Sequence, residues 1–203
     1  ANLKLADRPQ PQPGAGQVLL RMLASSLNFR DLVVPERGYG SFTGTLPLIP
    51  LSDGVGEVVA VGPGVTRVAV GDRVCPTFFQ GWIAGEPDLS RMTGSLGGPI
   101  DGTMTEFMCL SEQGVVKVPA YLSDVEAATL PCAALTAWSA LATHGAVKPG
   151  EQVLIQGSGG VALFALAFAR IAGARVTVIS SSDEKIERLK ALGADATINY
   201  RTT

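Results

Sequence analysis

The chain is short of the residues that bind metals and cross-link small proteins. Its 203 residues include one histidine, His144, and three cysteines. Cys75, Cys109 and Cys132 lie far apart, and none stands in a C-x-x-C pair. Neither a disulfide scaffold nor a four-cysteine zinc lobe can be built from them. So few thiols, in odd number, fit a reducing, cytoplasmic compartment. An excess of basic charge is missing too, since 16 Lys and Arg stand against 18 Asp and Glu, a formal net charge of −2. With no basic stripe to neutralise phosphates, nucleic-acid binding is not expected. No basic-then-apolar leader opens the chain as it stands. Charged residues make up 17%, against about 25% in typical domains. With 46% hydrophobic residues, the chain can bury a core, which excludes an intrinsically disordered protein. Residues 127–147 carry no formal charge and are long enough to span a bilayer. They contain Thr129, Pro131, Thr136, Ser139, Thr143, His144 and Gly145 and are built on alanine, so a buried helix is expected and a membrane span is not.

Glycine and proline are abundant, at 24 and 13, and their placement divides the chain. Residues 1–120 read as short strands and turns: 17–24 (QVLLRMLA), 56–61 (GEVVAV), 66–70 and 73–75, separated by Gly62-Pro63-Gly64 and Gly71-Asp72. Short apolar runs punctuated by glycine at this spacing predict a compact barrel. Residues 80–102 have no period and read as a long loop, a length that usually serves function. After Pro119 the rhythm changes. Ser123-x-x-Glu126 is a capping-box pattern opening an Ala-rich helix, and Pro131 is expected to begin a second helical stretch over 133–143. Then 152–156 (QVLIQ) reads as a strand, followed by a glycine turn and an apolar helix to about residue 172. The strand 175–180 (RVTVIS), a charged helix to 192 ended by Gly193, and the strand 197–200 (TINY) complete the run. Alternating strands and helices predict a doubly wound parallel sheet. Such sheets have about six strands, so half of one is expected here.

The strongest chemical signal is Gly157-Ser158-Gly159-Gly160-Val161-Ala162, the G-x-G-x-x-A form of the dinucleotide fingerprint. It directly follows a strand and opens a helix. Gly157 permits the tight turn, Gly159 lets a pyrophosphate approach the backbone, and Ala162 lets helix and strand pack closely. Gly54-Val55-Gly56 lacks a following helix and reads as a structural turn. The second strand of the parallel unit ends at Ser180-Ser181-Ser182, where an NAD site usually carries Asp or Glu for the ribose 2′-hydroxyl. Hydroxyls with Lys185 nearby suit a 2′-phosphate, which a carboxylate would repel. NADP(H) is therefore expected over NAD(H), although Asp183 stands three residues after Ser180.

Taken together, S-L-N-F-R-D (26–31), D-G-V-G-E-V-V-A-V-G (53–62), G-D-R-V (71–74), L-P-C-A-A-L-T-A-W (130–138) and the G-S-G-G-V loop resemble the medium-chain dehydrogenase/reductases. The likeness extends over essentially the whole chain. It is strongest to the zinc-independent branch of quinone and enone reductases, the zeta-crystallin-like proteins. The resemblance implies an α/β plus β fold: a GroES-like β-barrel catalytic domain over 1–120, then the N-terminal half of a Rossmann domain over 121–203. The family's chain continues through the rest of that sheet, so a fragment or truncated chain is expected.

Zinc-dependent members of the superfamily hold the metal with a Cys, a His and a second Cys, and the resemblance places those positions at Asn28, Ser52 and Cys132. One thiolate cannot supply three ligands, and residues 80–102, where a structural zinc would lie, contain no cysteine. No zinc is expected. The resemblance assigns Asn28 and Tyr39 to the substrate site, with the Asn28 amide as a donor that polarises a carbonyl, and Thr136 to the nicotinamide. It places Tyr200 at the 2′-phosphate beside Ser180, Ser181 and Lys185. Asp31 matches the motif's acid and equally suits a helix cap. The implied activity is metal-free hydride transfer from NADPH to a quinone or an α,β-unsaturated carbonyl, a small-molecule substrate. An alcohol dehydrogenase-like oxidoreductase and an NADP-binding structural or sensor protein are the alternatives. A homodimer is expected of the full-length protein.

Overall fold

The computed structural model describes residues 3–38 and 40–202. The chain divides into two compact units, Ala1–Cys132 and Ala133–Thr203.

The first unit is built on a five-stranded antiparallel sheet. Its strands are β1 (Gln17–Ser26), β2 (Asp53–Val61), β3 (Arg73–Pro76), β4 (Phe107–Ser111) and β5 (Val115–Lys117), in the order β4-β1-β2-β3-β5. The register of β1 against β2 shifts between Leu19 and Leu20 and again between Met22 and Ala24. Such bulges sharpen the twist of a strand. Val18, Leu20, Val58, Val74, Leu96, Met108, Leu110 and Val115 form the core inside the sheet. Residues 66–70, expected as a strand, are not one. The amides of Thr66 and Arg67 both donate to Glu112 Oε2 at 2.8 Å, so a carboxylate takes the hydrogen bonds a strand partner would need. Val68 still reaches the core. Strands β4 and β5, missing from the sequence reading, are short and lack clean alternation, and their pairing with β1 and β3 defines them.

A short helix, α1 (Arg30–Val33), follows β1. Arg30 is only 5% exposed and clamps the long loop: its two guanidinium nitrogens donate to Leu96 O at 2.7 Å and Gly98 O at 2.9 Å. The same group lies 4.8 Å over the Phe78 ring. The loop expected over 80–102 contains only the 3₁₀ turn Arg91–Gly94 and two isolated bridges, Phe79 with Ser95 and Leu96 with Ile100. The helix α2 (Asp124–Ala128) carries the expected capping box between Ser123 and Glu126. Its Ala127 and Ala128 pack on Val55 and Cys75. That packing places residues 121–132 in the first unit, so the division falls after Cys132, beyond the expected boundary at 120.

The second unit begins in the helical stretch. α3 (Leu135–Trp138) is flanked by wider π-type turns at Leu130–Ala134 and Ser139–His144. A parallel sheet follows, made of β6 (Gln152–Gln156), β7 (Arg175–Ser180) and β8 (Ala196–Asn199) in the order β6-β7-β8. The connecting helices are α4 (Gly160–Ile171) and α5 (Asp183–Ala191). Ile155, Leu166, Ala169, Val176, Val178 and Leu189 form its core. Val176 and Val178 are fully buried on one face of the central strand, and Thr177 and Ile179 on its other face are half-buried. β8 ends at Asn199, so Tyr200, expected as its last residue, begins the turn beyond it. Among the described residues no helix is long and apolar enough to cross a membrane.

Replacing Arg30 with Met should leave the Leu96 carbonyl without its donor and the Gly98 carbonyl with the Ser95 hydroxyl alone, at a cost of about 1–3 kcal/mol. A lower urea midpoint with unchanged slope would report it. Arg30→Lys should recover only part of the loss, because an ammonium cannot reproduce the planar fork.

Candidate functional site

In the second unit, Gly157 has φ +94°, a conformation that favours glycine, and donates its N–H to Ile179 O at 2.8 Å. A methyl group added at Gly157 or Gly159 would meet nothing within 4 Å, so the backbone of this turn faces open space. Gly159 stands at the N-terminus of α4 and brings no capping side chain. The first turn of α4 therefore has no side-chain cap, and helix N-termini of this kind suit an anion. Ala162 is buried against β6 and β7, as the fingerprint's small last position requires.

The expected phosphate-end residues divide into two groups. Ser180 is buried, and its hydroxyl lies 3.3 Å from that of Ser158, so the pair joins strand to glycine turn. Ser181 is half-buried, whereas Lys185 and Tyr200 are exposed. Asp183, whose carboxylate argues against a phosphate, is engaged elsewhere: Asn199 Nδ2 donates to its Oδ1 at 2.6 Å. Asn199 Oδ1 in turn accepts the Arg201 N–H at 3.1 Å. Arg201 is an exposed cation beside Tyr200, and sequence reasoning passed over both it and Asn199. Thr136 lies exposed on α3, between the two π-type turns. His144 is exposed at the end of its turn.

In the first unit, Asn28 lies at the centre of a polar network. Its backbone N–H donates to Asp31 Oδ2 at 2.8 Å, and Asp31 N donates back to Asn28 O at 3.0 Å. Asp31 lies inside α1, whose N-cap Phe29 has no side-chain cap, so its carboxylate anchors the Asn28 backbone and does not cap the helix as the sequence allowed. The Asn28 Nδ2 donates to Ser52 Oγ at 3.3 Å, and Ser52 Oγ donates to Asp53 Oδ1 at 2.7 Å. The other oxygen, Asp53 Oδ2, accepts the Cys132 N–H at 2.8 Å. Thr103 Oγ1 donates to Asp53 O at 2.8 Å. Ser52 is 0% and Asp53 1% exposed. The amide nitrogen of Asn28, expected to point at a carbonyl, is turned inward toward Ser52 instead. Tyr39 lies outside the described residues.

Burial raises the Asp53 carboxyl above its ordinary range, and the like charge of Asp31 adds to that. The hydrogen bonds from Ser52 and Cys132 and the nearby Asn28 side-chain amide act against it. Burial likewise raises Asp31, opposed by the Asn28 amide and the Arg30 charge. Sequence reasoning missed Asp53. The only available signal was an acidic residue directly after a position that the resemblance assigned to metal binding.

The N-terminal part of the chain, residues 14–120, matches the family described as alcohol dehydrogenase GroES-like domain, and residues 160–203 match zinc-binding dehydrogenase. The chain belongs to the alcohol dehydrogenase GroES-like family, within the medium-chain dehydrogenase/reductases. A zinc-type alcohol dehydrogenase-like protein of Schizosaccharomyces pombe is 46% identical over 99% of this chain and 59% of its own length. A chloroplastic quinone-oxidoreductase of Triphysaria versicolor is 34% identical over 100% of this chain and 58% of its own. A solved structure from Sinorhizobium meliloti 1021, provisionally assigned as an alcohol dehydrogenase, superposes with TM-score 0.94 at 47% identity, covering 100% of this chain and 60% of that one. A mycobacterial protein solved with NADPH superposes with TM-score 0.75 at 32% identity, covering 96% of this chain and 52% of that one. The chain therefore spans roughly three fifths of the curated relatives it matches.

Zinc, which the family name implies, does not fit the side chains at this position. Asn28 offers an amide and Ser52 a hydroxyl already bonded to Asp53, leaving the one thiol of Cys132. Both Asp53 oxygens accept hydrogen bonds. A catalytic zinc takes three ligands from thiolate, imidazole and carboxylate groups. Among the described residues no group of three or more His, Cys, Asp or Glu could hold a metal.

Asp31 and Asp53 bind their protons more tightly in the folded chain than in the unfolded one. Their contribution to stability is therefore greatest on the acid side and declines as pH rises through their raised folded values. Asp72 behaves oppositely, because the Lys117 ammonium and the Ala69 amide hold it below the ordinary range. A carbon-detected NMR titration should give midpoints for Asp31 and Asp53 above that of Asp72. The reverse order would contradict the burial argument.

Proposed function

We propose that the protein containing this chain is an oxidoreductase that moves a hydride between NADP(H) and a small quinone or carbonyl compound, without a metal. The observation that carries the reading is the glycine turn. Gly157 and Gly159 leave room for a pyrophosphate, and the uncapped α4 N-terminus lies beside them. Preference for the 2′-phosphate rests on Lys185, Tyr200 and Arg201 around β8, with the Ser181 hydroxyl nearby. The withdrawal of Asp183 into its hydrogen bond with Asn199 favours it further. Ser180 supports this end indirectly, by holding Ser158. A cofactor held by the glycine turn would supply the hydride, and water the proton, of the reduced product.

In the first unit, the Asn28 network stands where zinc-dependent relatives carry metal ligands, and hydrogen bonds take over the orientation of the substrate. Thr136 and Tyr39 complete the reading on the strength of the family resemblance. The alcohol–aldehyde pair is the second reading, favoured by the inward turn of the Asn28 amide nitrogen. An NADP-binding structural or sensor protein is the remaining reading, and turnover of NADPH with any quinone, aldehyde or enone separates it from a reductase.

Lys185→Glu should weaken NADPH binding about tenfold, the equivalent of roughly 1.5 kcal/mol for one charge-assisted hydrogen bond. NADH binding should be unchanged. Quenching of cofactor fluorescence measures both affinities, and an equal loss for the two cofactors would remove Lys185 from the phosphate end. Elemental analysis of the dialysed protein should find less than about a tenth of a zinc per chain, since three ligands are needed to retain it.

A further inference from the structure

We infer that Asn199 is the positioning residue that sets the choice between NADP(H) and NAD(H), by holding the Asp183 carboxylate so that it is not offered to a ribose hydroxyl. The inference rests on the proposed reading of the phosphate end and adds the residue that keeps an acid out of it.

The strand register puts Asn199 where it can do this. β8 runs parallel to β7 with Asn199 opposite Ser180, the last residue of each strand. The Tyr200 N–H donates across to Ser180 O at 3.2 Å, so the two chain segments leave the sheet side by side. From β7 the chain passes through Ser181 and Ser182 into α5, whose first residue is Asp183. A carboxylate beyond the second strand of such a sheet is the group that selects NAD, by accepting from the ribose 2′-hydroxyl. The Asp183 carboxylate accepts from Asn199 Nδ2 at 2.6 Å. The other acid of that first turn, Glu184, is paired with Arg188 at 2.6 Å.

An amide meets two opposite demands at position 199. The Arg201 N–H needs an acceptor, which Asn199 Oδ1 provides at 3.1 Å, and a carboxylate needs a donor. The first bond closes a side-chain turn of the kind asparagine favours. Thr202 N–H donates to Asn199 O at 3.1 Å in the same turn. One planar group therefore shapes the turn that carries Tyr200 and Arg201 and draws Asp183 to itself. Both effects favour a 2′-phosphate, because Lys185 and Arg201 are exposed cations while both acids at the start of α5 are engaged.

Fluorescence-quenching titrations of the whole protein give the ratio of the NADH to the NADPH dissociation constant. Asn199→Ser keeps an acceptor for the Arg201 N–H, since a hydroxyl closes the same kind of turn. It ends one bond short of the amide nitrogen and so releases Asp183. The ratio should fall about fivefold, the scale of one exposed charge interaction, with no change in the charge of position 199. Asn199→Asp keeps the acceptor and sets two carboxylates against each other, and should lower the ratio about tenfold.

With Asp183→Asn in place, Asn199→Ser should leave the ratio unchanged, because no carboxylate remains to be held. An equal fall with and without Asp183→Asn would overturn the inference and leave Asn199 as a turn residue. A loss of both affinities with the ratio intact would overturn it as well, since a purely structural role moves the two cofactors together. A wild-type ratio near one would overturn the 2′-phosphate reading and the inference with it. A wild-type preference for NADPH that survives both Asn199 substitutions overturns the inference alone.

Discussion

Asp53, almost wholly removed from water, ties its own strand to two distant stretches of the first unit, around Thr103 and Cys132. It accepts from Ser52 beside it and from the backbone of Cys132, and the Asp53 carbonyl accepts from Thr103. A buried charge is costly unless its lone pairs are met, and here the adjacent Ser52 and the distant Cys132 meet them. The same constraint sets the direction of protons as far as Asn28. The site inherits its polarity from one acid that touches nothing in solvent.

Arg30 solves the matching problem for the long loop. Its neighbour Asp31 holds the backbone of Asn28, while Arg30 itself binds the carbonyls of Leu96 and Gly98. Three consecutive features of S-L-N-F-R-D thus serve one end: the amide, its backbone anchor and the clamp on the facing loop. A motif read for its asparagine alone loses the two charges that keep the asparagine still. In the second unit the equivalent economy is the pair Ser158 and Ser180, which fastens the glycine turn to the strand behind it. Asn199 does similar work by drawing Asp183 aside.

Much of this was legible in the chain. The glycine fingerprint, its flanking strand and helix, and the capping box at Ser123 are local patterns, set by residues a few positions apart. The strands 152–156 and 175–180 were legible for the same reason. Residues 66–70 misled because their apolar character comes from Val68 reaching the core, while their amides answer to Glu112, more than forty positions away. Strands β4 and β5 were invisible because a three- or five-residue strand is defined by its partner and not by its own pattern.

The sequence by itself carried the family: a dinucleotide fingerprint between a strand and a helix, Asn28 and Ser52 at positions that the resemblance gives to metal ligands, and a run of serines followed by Lys185 after the second parallel strand. Only the tertiary structure decided how those residues are used. It turned Ser180 inward, took Asp183 out of play, and pointed the Asn28 nitrogen at Ser52. The reason is physical: which residue type stands at a position is a local property, but the direction of a hydrogen bond depends on what the partner has already donated. Those partners, Asp53 to Asn28 and Asn199 to Asp183, are neighbours only in the folded chain.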